Sequence, residues 1–465
     1  MRQSNIIKII ERFILLLVIT AFLSDFGIMV QKGDRPLIAF SEILVIVFIL
    51  FLFLYKTLQN PSGVSKTGLK IFLSILGIIV SASIGAILHL SQIDLTQHIY
   101  GVLRLILWAV FFLLWADIAG ILANSPSFPK KVWKYYLTFG FIISGAGIFQ
   151  YIFHLVSGQH LNLNPFFQQH WGVYGGYYRA TSIFQEPSFL GVMLVPIFIA
   201  EAKLFFVKGN LSHLIKSIFL LGGILVSFSL GSFIVVGVWM GIVFFKWLYC
   251  RMGLFLRTKT DKREIESILA VSFVVLIACV IFSQWIGPLV IPRIEYELKS
   301  VQLYHMGDRF QGSSGAGRFS SYEGFLMICK QSPLFGVGFD QTDYIESLLG
   351  KTFQTNTGSG IFGFIGTSAG ILGVVLILLV FKIVFQGYNY KEKVREARQS
   401  NLLIVGRAIV VALVLEQLIS YGGILNPDFW LPLAFSYLFI IKGQKEIKDK
   451  YEEQLFCFNN YPLPE

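Results

Sequence analysis

The sequence predicts an all-α integral membrane protein with about twelve transmembrane helices and two long external loops. Hydrophobic residues make up 55% of the 465 residues, charged residues make up only 14%, and the mean hydropathy is +0.68. Soluble globular proteins carry about a quarter charged residues. Apolar runs of about 20 residues recur along the chain, and only a helix satisfies its own backbone hydrogen bonds in hydrocarbon.

Twelve apolar runs are candidate spans. The first follows a positively charged segment, as in a signal peptide, but it has no convincing small-residue cleavage site, so we predict a retained helix. The seventh, eighth and twelfth runs are short, and the Leu230-Gly231 turn is also compatible with one kinked helix. The predicted spans are 13–30, 37–55, 69–90, 99–123, 132–156, 183–207, 214–229, 232–249, 268–287, 360–386, 404–421 and 429–441.

The positive charges predict how these spans are oriented. With a cytoplasmic N-terminus, 28 of the 38 Lys and Arg residues lie on the cytoplasmic side, nine lie outside, and Arg104 lies within a helix. Membrane proteins show this excess of Lys and Arg in their cytoplasmic loops. Both termini are therefore predicted to be cytoplasmic. The predicted domains are nine spans within 1–287 with an external loop at 157–182, a large external loop at 288–359, three spans within 360–441, and a cytoplasmic tail at 442–465.

The formal net charge of +11 does not indicate a nucleic-acid partner, because most of the cations lie in short segments that face cytoplasm and anionic lipid. The bilayer is the predicted partner of this charge. The four cysteines have no metal-ligand spacing. His160 and His170 are ten residues apart without a carboxylate ligand pattern. We therefore predict neither a metal nor a cofactor.

The first external loop ends in the stretch RATSIFQEPSFLG, which places Arg179 and Glu186 at the start of the sixth span. Pro187 suits the first turn of a helix, so Glu186 is expected at a helix N-terminus, where a carboxylate can serve as a simple cap. An outward-facing arginine beside a helix N-terminus favours an anion site instead. Tyr178 lies in an aromatic-rich part of this loop, which indicates either an interfacial aromatic belt or a platform for sugar rings.

The second external loop places Arg309 and Arg318 around a glycine-rich turn. Glycine lets a backbone approach a ligand closely, although a turn that merely returns the chain to the membrane has the same composition. Apolar residues then recur at helical spacing, with Tyr322 among them, and predict an amphipathic helix on the membrane surface.

Several charged residues fall inside predicted spans, where ionisable side chains are functional candidates by default. Those near helix ends can instead reach the interface. Arg104 lies on the external side of the fourth span and is the best placed to face a cavity. The residues considered are Asp25, Glu42, Arg104, Asp117 and Glu416.

Three stretches, in this order along the chain, resemble the O-antigen polymerase (Wzy-type) and O-antigen ligase superfamily. They are RATSIFQEPSFLG at the sixth span, SFSLGSFIVVGVW at the seventh-to-eighth hairpin and GRFSSYEGFLMICKQSPLFGVGFD in the large loop. The resemblance covers about residues 137–379. It implies a membrane-embedded glycosyltransferase of GT-C-like architecture that needs no metal and no nucleotide sugar. Donor and acceptor would be glycans carried on undecaprenyl diphosphate, and a chain-length regulator protein would be a further partner.

The resemblance also implies roles for individual residues. Outer-loop arginines bind pyrophosphate in this superfamily, which assigns Arg179 and Arg318 to catalysis and makes Arg309 and Arg104 weaker, substrate-binding candidates. Glu186 is the candidate base that takes the proton of the acceptor hydroxyl. The remaining substrate-binding candidates are Tyr178, Tyr322 and Asn356.

Two departures from the family pattern narrow this assignment. Some relatives carry an arginine in the hairpin where this chain has Ser229-Leu-Gly-Ser232, so no catalytic residue is predicted there. Ligases typically carry His-Asn before the tenth span, whereas here Thr355 precedes Asn356. A threonine hydroxyl cannot act as a base near neutral pH, but imidazole can. We therefore predict a polymerase of lipid-linked repeat units, with a glycan ligase and a lipid-linked glycan flippase or exporter as the alternatives.

The predicted topology is testable with reporter tags. Tags after Lys259 and Lys391 should report cytoplasm, and tags near Gly172 and Gly312 should report the outside, as measured by labelling with an impermeant thiol reagent. A cytoplasmic signal at Gly312 would contradict the proposed external face.

Overall fold

The computed structural model describes residues 3–23, 27–29, 36–58, 65–164, 178–184, 186–255, 295, 298–299, 301–302, 314–350, 359–387, 400–419 and 423–460. Within these residues the regular secondary structure is helical apart from two short strands. Seven of the helices are long and apolar enough to cross a membrane. The predicted class, a multi-pass all-α membrane protein, is confirmed at this level. The number of twelve spans stays a prediction, and the ninth predicted span, 268–287, lies outside the described residues.

The elements of the first half of the chain alternate with short turns. They are α1 (Gln3–Ala21), β1 (Gly27–Met29), β2 (Pro36–Ala39), α2 (Phe40–Leu58), α3 (Lys66–Leu88), α4 (Leu95–Leu122), α5 (Phe128–Ser157), α6 (Pro187–Lys208), α7 (Leu211–Val226) and α8 (Leu230–Phe255). The elements of the second half are α9 (Ser314–Gln331), α10 (Thr342–Leu349), the π-helical turn π1 (Gly360–Gly366), α11 (Thr367–Gln386), α12 (Asn401–Ile419) and α13 (Pro427–Asn460).

The seven candidate spans are α2, α3, α4, α5, α6, α12 and the continuous stretch from π1 to α11. Helices α7 and α8 are apolar but shorter over their apolar parts. Their junction is a turn in which Phe228 has a φ of +45°, so the hairpin consists of two helices and not of one kinked helix.

The first predicted span, 13–30, is wrong in its bounds. Helix α1 begins ten residues earlier, at Gln3, and ends at Ala21. Part of the remaining apolar run forms strand β1, which pairs antiparallel with β2 just before α2. A short apolar run of this kind does not distinguish a strand from the end of a helix, because both bury the same residues.

The helix that continues from π1 into α11 is broken within the membrane. Gly370 has a φ of +64° and a ψ of −163°, values that interrupt the helix. The loop 333–339, which follows α9, lies against the break. There the N–H of Val337 donates to the carbonyl of Thr367, and the N–H of Gly338 donates to the carbonyl of Ser368, both at 3.0 Å. The loop therefore satisfies backbone groups that the broken helix cannot pair by itself.

Close backbone contact on both sides keeps this loop in place. A Cβ on Gly336, which has a φ of +67°, would lie 2.5 Å from the carbonyl oxygen of Thr367. On the other side, a Cβ on Gly85 of α3 would lie 2.5 Å from the carbonyl oxygen of Gly336. The ring of His98 on α4 also accepts a hydrogen bond from the N–H of Phe339. Only glycine fits at these crossings, so α3, the loop and α11 pack backbone to backbone.

The last helix, α13, continues well past its apolar part. Its segment 444–446 contacts three neighbouring connections. Gln444 donates to the carbonyl of Gln386 at the end of α11 at 2.7 Å. Glu446 accepts from Ser400, which precedes α12, and pairs with Lys130 at the start of α5. The extension therefore holds these connections together.

Substitution of Gly336 tests the packing of the loop against α11. Gly336→Ala should lower the free energy of unfolding by about 3 kcal/mol, because it adds left-handed backbone strain of about 1 kcal/mol to an overlap that costs about 2 kcal/mol. The measurement is reversible denaturation of the purified protein in detergent–lipid mixtures.

Gly350→Ala is the matched control. Gly350 has a φ of +63°, but a Cβ there would meet nothing within 4 Å. Its substitution should cost only about 1 kcal/mol. Equal losses for both variants would show that the contact with α11 is not what makes Gly336 necessary.

Candidate active site

The stretch that carries Arg179 is fastened to the end of α5 by one buried amide. The Oε1 atom of Gln150, which is fully buried, accepts the N–H groups of Thr181 and Ser182 at 2.8 and 2.9 Å. Its Nε2 donates to the carbonyl of Leu161 at 2.6 Å. A polar side chain in an apolar helix is costly unless it is bonded in this way, so Gln150 holds both ends of the loop between α5 and α6.

Arg179 itself lies at the C-terminal end of α7. The backbone N–H of the next residue, Ala180, donates to the carbonyl of Val226 at 2.9 Å. The Nε of Arg179 donates to the carbonyl of Ser227 at 3.2 Å. Carbonyl groups at a helix C-terminus carry partial negative charge, so they favour a cation there. Arg179 is half-buried and is placed by α5 and α7 together.

Glu186 occupies the N-cap position of α6, but its side chain makes no capping hydrogen bond. The carboxylate is exposed and accepts a hydrogen bond from the hydroxyl of Ser188 at 3.0 Å. Pro187 is the first residue of the helix, as the sequence predicts. An exposed carboxylate that is not bound to the helix backbone is able to accept a proton from a bound hydroxyl group.

Tyr178 belongs to a stack of three rings at the C-terminal end of α5. Its ring centroid lies 4.2 Å from that of His154 and 5.1 Å from that of His160, and the planes of the two imidazoles are nearly parallel, 3° apart. Tyr178 is only 4% exposed, and burial raises the pKa of its hydroxyl to about 12. Within the part of the chain that the structure describes, this hydroxyl has no hydrogen-bond partner. It is therefore a protonated donor near neutral pH.

The second group of candidate residues lies on α9. Arg318 and Tyr322 are four residues apart, which places them on one face of the helix. The hydroxyl of Tyr322 donates to the carbonyl of Leu418 near the end of α12 at 2.6 Å. Burial raises the pKa of Tyr322, and the nearby guanidinium of Arg318 offsets part of that rise. A Cβ on Gly363 of π1 would strike the side chain of Ser321, so α9 packs closely on the broken helix.

The two groups border the same helix, α12. Tyr322 binds its last turn, and α6, which begins directly after Glu186, packs along it. Ser359, just before π1, donates to the carbonyl of Gln417 at 2.8 Å. The structure thus brings Tyr178 and Arg179 together on one anchored stretch and Arg318 and Tyr322 together on another.

Other predicted residues fall elsewhere or outside the described residues. Arg104 pairs with Glu42, with 3.3 Å between Nε and Oε1, and the other oxygen of Glu42 accepts the N–H of Ala39. This pair joins α4 to α2. Arg309 and Asn356 lie outside the described residues, so their roles stay predictions.

The sequence interpretation missed the residues that position the candidates. Gln150 carried the available signal, since an amide inside an apolar run needs a partner. In the described part of the chain no group of three or more His, Cys, Asp or Glu side chains is arranged to hold a metal ion. No family model matches the chain, and no characterised protein matches it significantly.

Replacing Gln150 tests how the Arg179 stretch is held. Gln150→Leu keeps the apolar volume but removes the acceptor of two N–H groups, which leaves them buried and unpaired at a cost of about 1–3 kcal/mol. The amides of Thr181 and Ser182 should then exchange hydrogen roughly 10- to 100-fold faster, as measured by mass spectrometry.

Gln159→Leu is the control, because Gln159 lies in the same loop and its side chain is exposed. Its substitution should leave the exchange of Thr181 and Ser182 unchanged. Unchanged exchange in Gln150→Leu would mean that the loop is held by other contacts.

Proposed function

We propose that the protein is a metal-independent polymerase that joins undecaprenyl-diphosphate-linked repeat units on the outer face of the bacterial plasma membrane. The observation that carries the proposal is the anchored stretch 178–184 together with Glu186, which precedes α6. It fixes an arginine beside the turn between α7 and α8 and leaves the carboxylate of Glu186 exposed at the start of α6. The proposal includes twelve spans, a GT-C-like architecture, cytoplasmic termini and a product that is an O-antigen or another surface polysaccharide.

The proposed reaction transfers a glycan from one diphosphate anchor to a sugar hydroxyl. The bond between the anomeric carbon of the donor and its diphosphate oxygen breaks, and a bond from that carbon to the acceptor oxygen forms. The acceptor proton goes to Glu186. The leaving group is undecaprenyl diphosphate, which gains negative charge as the bond breaks.

Arg179 and Arg318 supply the positive charge that this leaving group requires. A guanidinium presents five N–H donors in a planar fork that matches phosphate oxygens, and such donors stabilise developing charge without a metal. Tyr178 and Tyr322 line the two arginine-bearing stretches. The exposed imidazole of His160, which stacks on the buried ring of Tyr178, offers a flat aromatic surface of the kind that sugar rings stack on.

A lipid-linked glycan exporter is the second candidate. The break at Gly370 favours it, since many transporters place substrate at discontinuous helices in the membrane. A glycan ligase of the same superfamily is the third candidate, and it is disfavoured by Thr355 standing where ligases typically carry histidine.

Loss of the protein from cells distinguishes these functions. A polymerase mutant should display a single repeat unit on each anchor, an exporter mutant should display none, and a ligase mutant should accumulate free lipid-linked polymer. With purified protein in vesicles, lipid-linked repeat units should be joined to each other and should not be moved onto lipid A or protein. Transfer to lipid A that survives replacement of Glu186 would contradict both the polymerase and its proposed base.

Substitution of the two arginines tests their charge and their shape. Arg179→Ala and Arg318→Ala should each lower turnover by about 100-fold or more, the loss typical of removing one donor to developing charge. The Lys variants should recover little, because an ammonium lacks the bidentate fork. Glu186→Gln should likewise lose activity. The readout is polymer formation per molecule of membrane-inserted protein.

Lys330→Ala is the control on the same helix as Arg318, because Lys330 is an exposed cation in the last turn of α9. Its activity should equal that of the unmodified protein. Full activity in Glu186→Gln would show that Glu186 is not the base and only occupies the N-cap position of α6.

A further inference from the structure

The connection between α12 and α13 lies deep inside the helical assembly. The indole N–H of Trp108 donates to the carbonyl of Leu425 at 3.0 Å. Trp108 is 13 residues from the first residue of α4 and 14 from the last, which places it roughly 20 Å from either end of that helix. Ile424 beside it is fully buried. Residues 423–426 therefore lie at the depth of the middle of α4, and α13 starts there.

Two carboxylates flank this connection. Glu416 lies three residues before the last described residue of α12 and is 1% exposed. Asp428 is the second residue of α13 and is 4% exposed. Tyr136 on α5 is also buried, at 1% exposed. The two carboxylates and this phenol influence one another electrostatically.

Glu416 differs from every other carboxylate in the seven candidate spans. Glu42 pairs with Arg104, Asp117 pairs with Lys56, and Glu201 is hydrogen-bonded to His213. By contrast, neither oxygen of Glu416 has a hydrogen-bond partner among the described residues.

The surroundings of Glu416 share this lack of partners. Within the described ranges, both polar atoms of the fully buried Gln417 side chain and the hydroxyl of Tyr136 also lack hydrogen bonds. On α12, the arginine before Glu416 is Arg407, which lies nine residues earlier, roughly 13 Å along the axis, with its guanidinium over the ring of Phe385. Three further helices pack on α12, namely α6, α8 and α11. Each of them carries its charged side chains in its C-terminal half.

An ionised carboxylate in such surroundings is too costly to persist. Its transfer from water into an apolar interior costs several kcal/mol even after relaxation, and a second carboxylate nearby adds repulsion. Addition of a proton removes the charge and converts one carboxyl oxygen into a donor.

We propose that Glu416 is an intramembrane proton-binding site, with Asp428 and Tyr136 as neighbouring polar groups that act on it electrostatically. The proton is held at neutral pH and exchanges with solvent. This proposal does not rest on the proposed glycan chemistry.

Infrared difference spectroscopy of the full-length protein in lipid nanodiscs tests the site. At pH 7 the spectrum should contain the carbonyl stretch of a protonated carboxylic acid, and the band should shift downward in deuterated water. Glu416→Gln, which matches the protonated side chain in shape, should remove the band. Asp343→Asn, which alters an exposed acid on α10, should leave it unchanged.

Two further arms keep the test decisive. Tyr136→Phe should shift the frequency of the band without removing it, so a poorly folded Glu416→Gln variant does not end the experiment. Absence of the band at pH 7, persistence of the band in folded Glu416→Gln, or failure to shift in deuterated water would overturn the proposal. A band that is absent in sodium but appears when choline replaces sodium would also overturn it, because sodium and not a proton would then neutralise the pair.

Discussion

The rest of the structure depends on one constraint, which is that backbone groups inside a membrane must be paired within the protein. The helix that runs from π1 through α11 breaks at Gly370, and the break leaves carbonyls that the helix does not pair. The loop 333–339 pairs them with its own N–H groups. Since that loop follows α9 directly, the same hydrogen bonds that complete the broken helix also fix where α9, and with it Arg318, lies.

Buried polar side chains apply the same logic to other parts of the molecule. The side-chain oxygen of Gln150 on α5 accepts hydrogen bonds from the backbone of the loop between α5 and α6. Gln341 pairs with the backbone of Asp94, which joins the segment after loop 333–339 to the start of α4. In both cases a side chain that is costly in an apolar helix or interior is stabilised by backbone groups that need a partner themselves. The segments between the spans are therefore held by specific contacts from the helices beside them.

The sequence predicted the helices well and their interruptions poorly. Hydropathy locates α3 to α6 because a membrane span has a fixed minimum length, and Pro187 marks the start of α6 because proline is tolerated in the first turn. The break at Gly370 has no comparable signal, since its backbone is paired by residues thirty or more positions away. The strand pair before α2 was missed because a short apolar run does not distinguish a strand from the end of a helix. Of the candidate site, Arg179 and Glu186 were visible as charges beside an apolar run, whereas the role of Gln150 depends on tertiary contacts.

The length of α13 has a mechanical consequence. The helix has 34 residues and is therefore roughly 50 Å long, with Asp428 at its buried end and the segment 444–446 bound to neighbouring connections further along. The segment 444–446 is about 17 residues, or roughly 25 Å, from Asp428, so a tilt of the helix by about 10° about its buried end moves this segment by roughly 4 Å. Small changes in packing beside Asp428 that tilt α13 therefore displace the connections before α5 and α12.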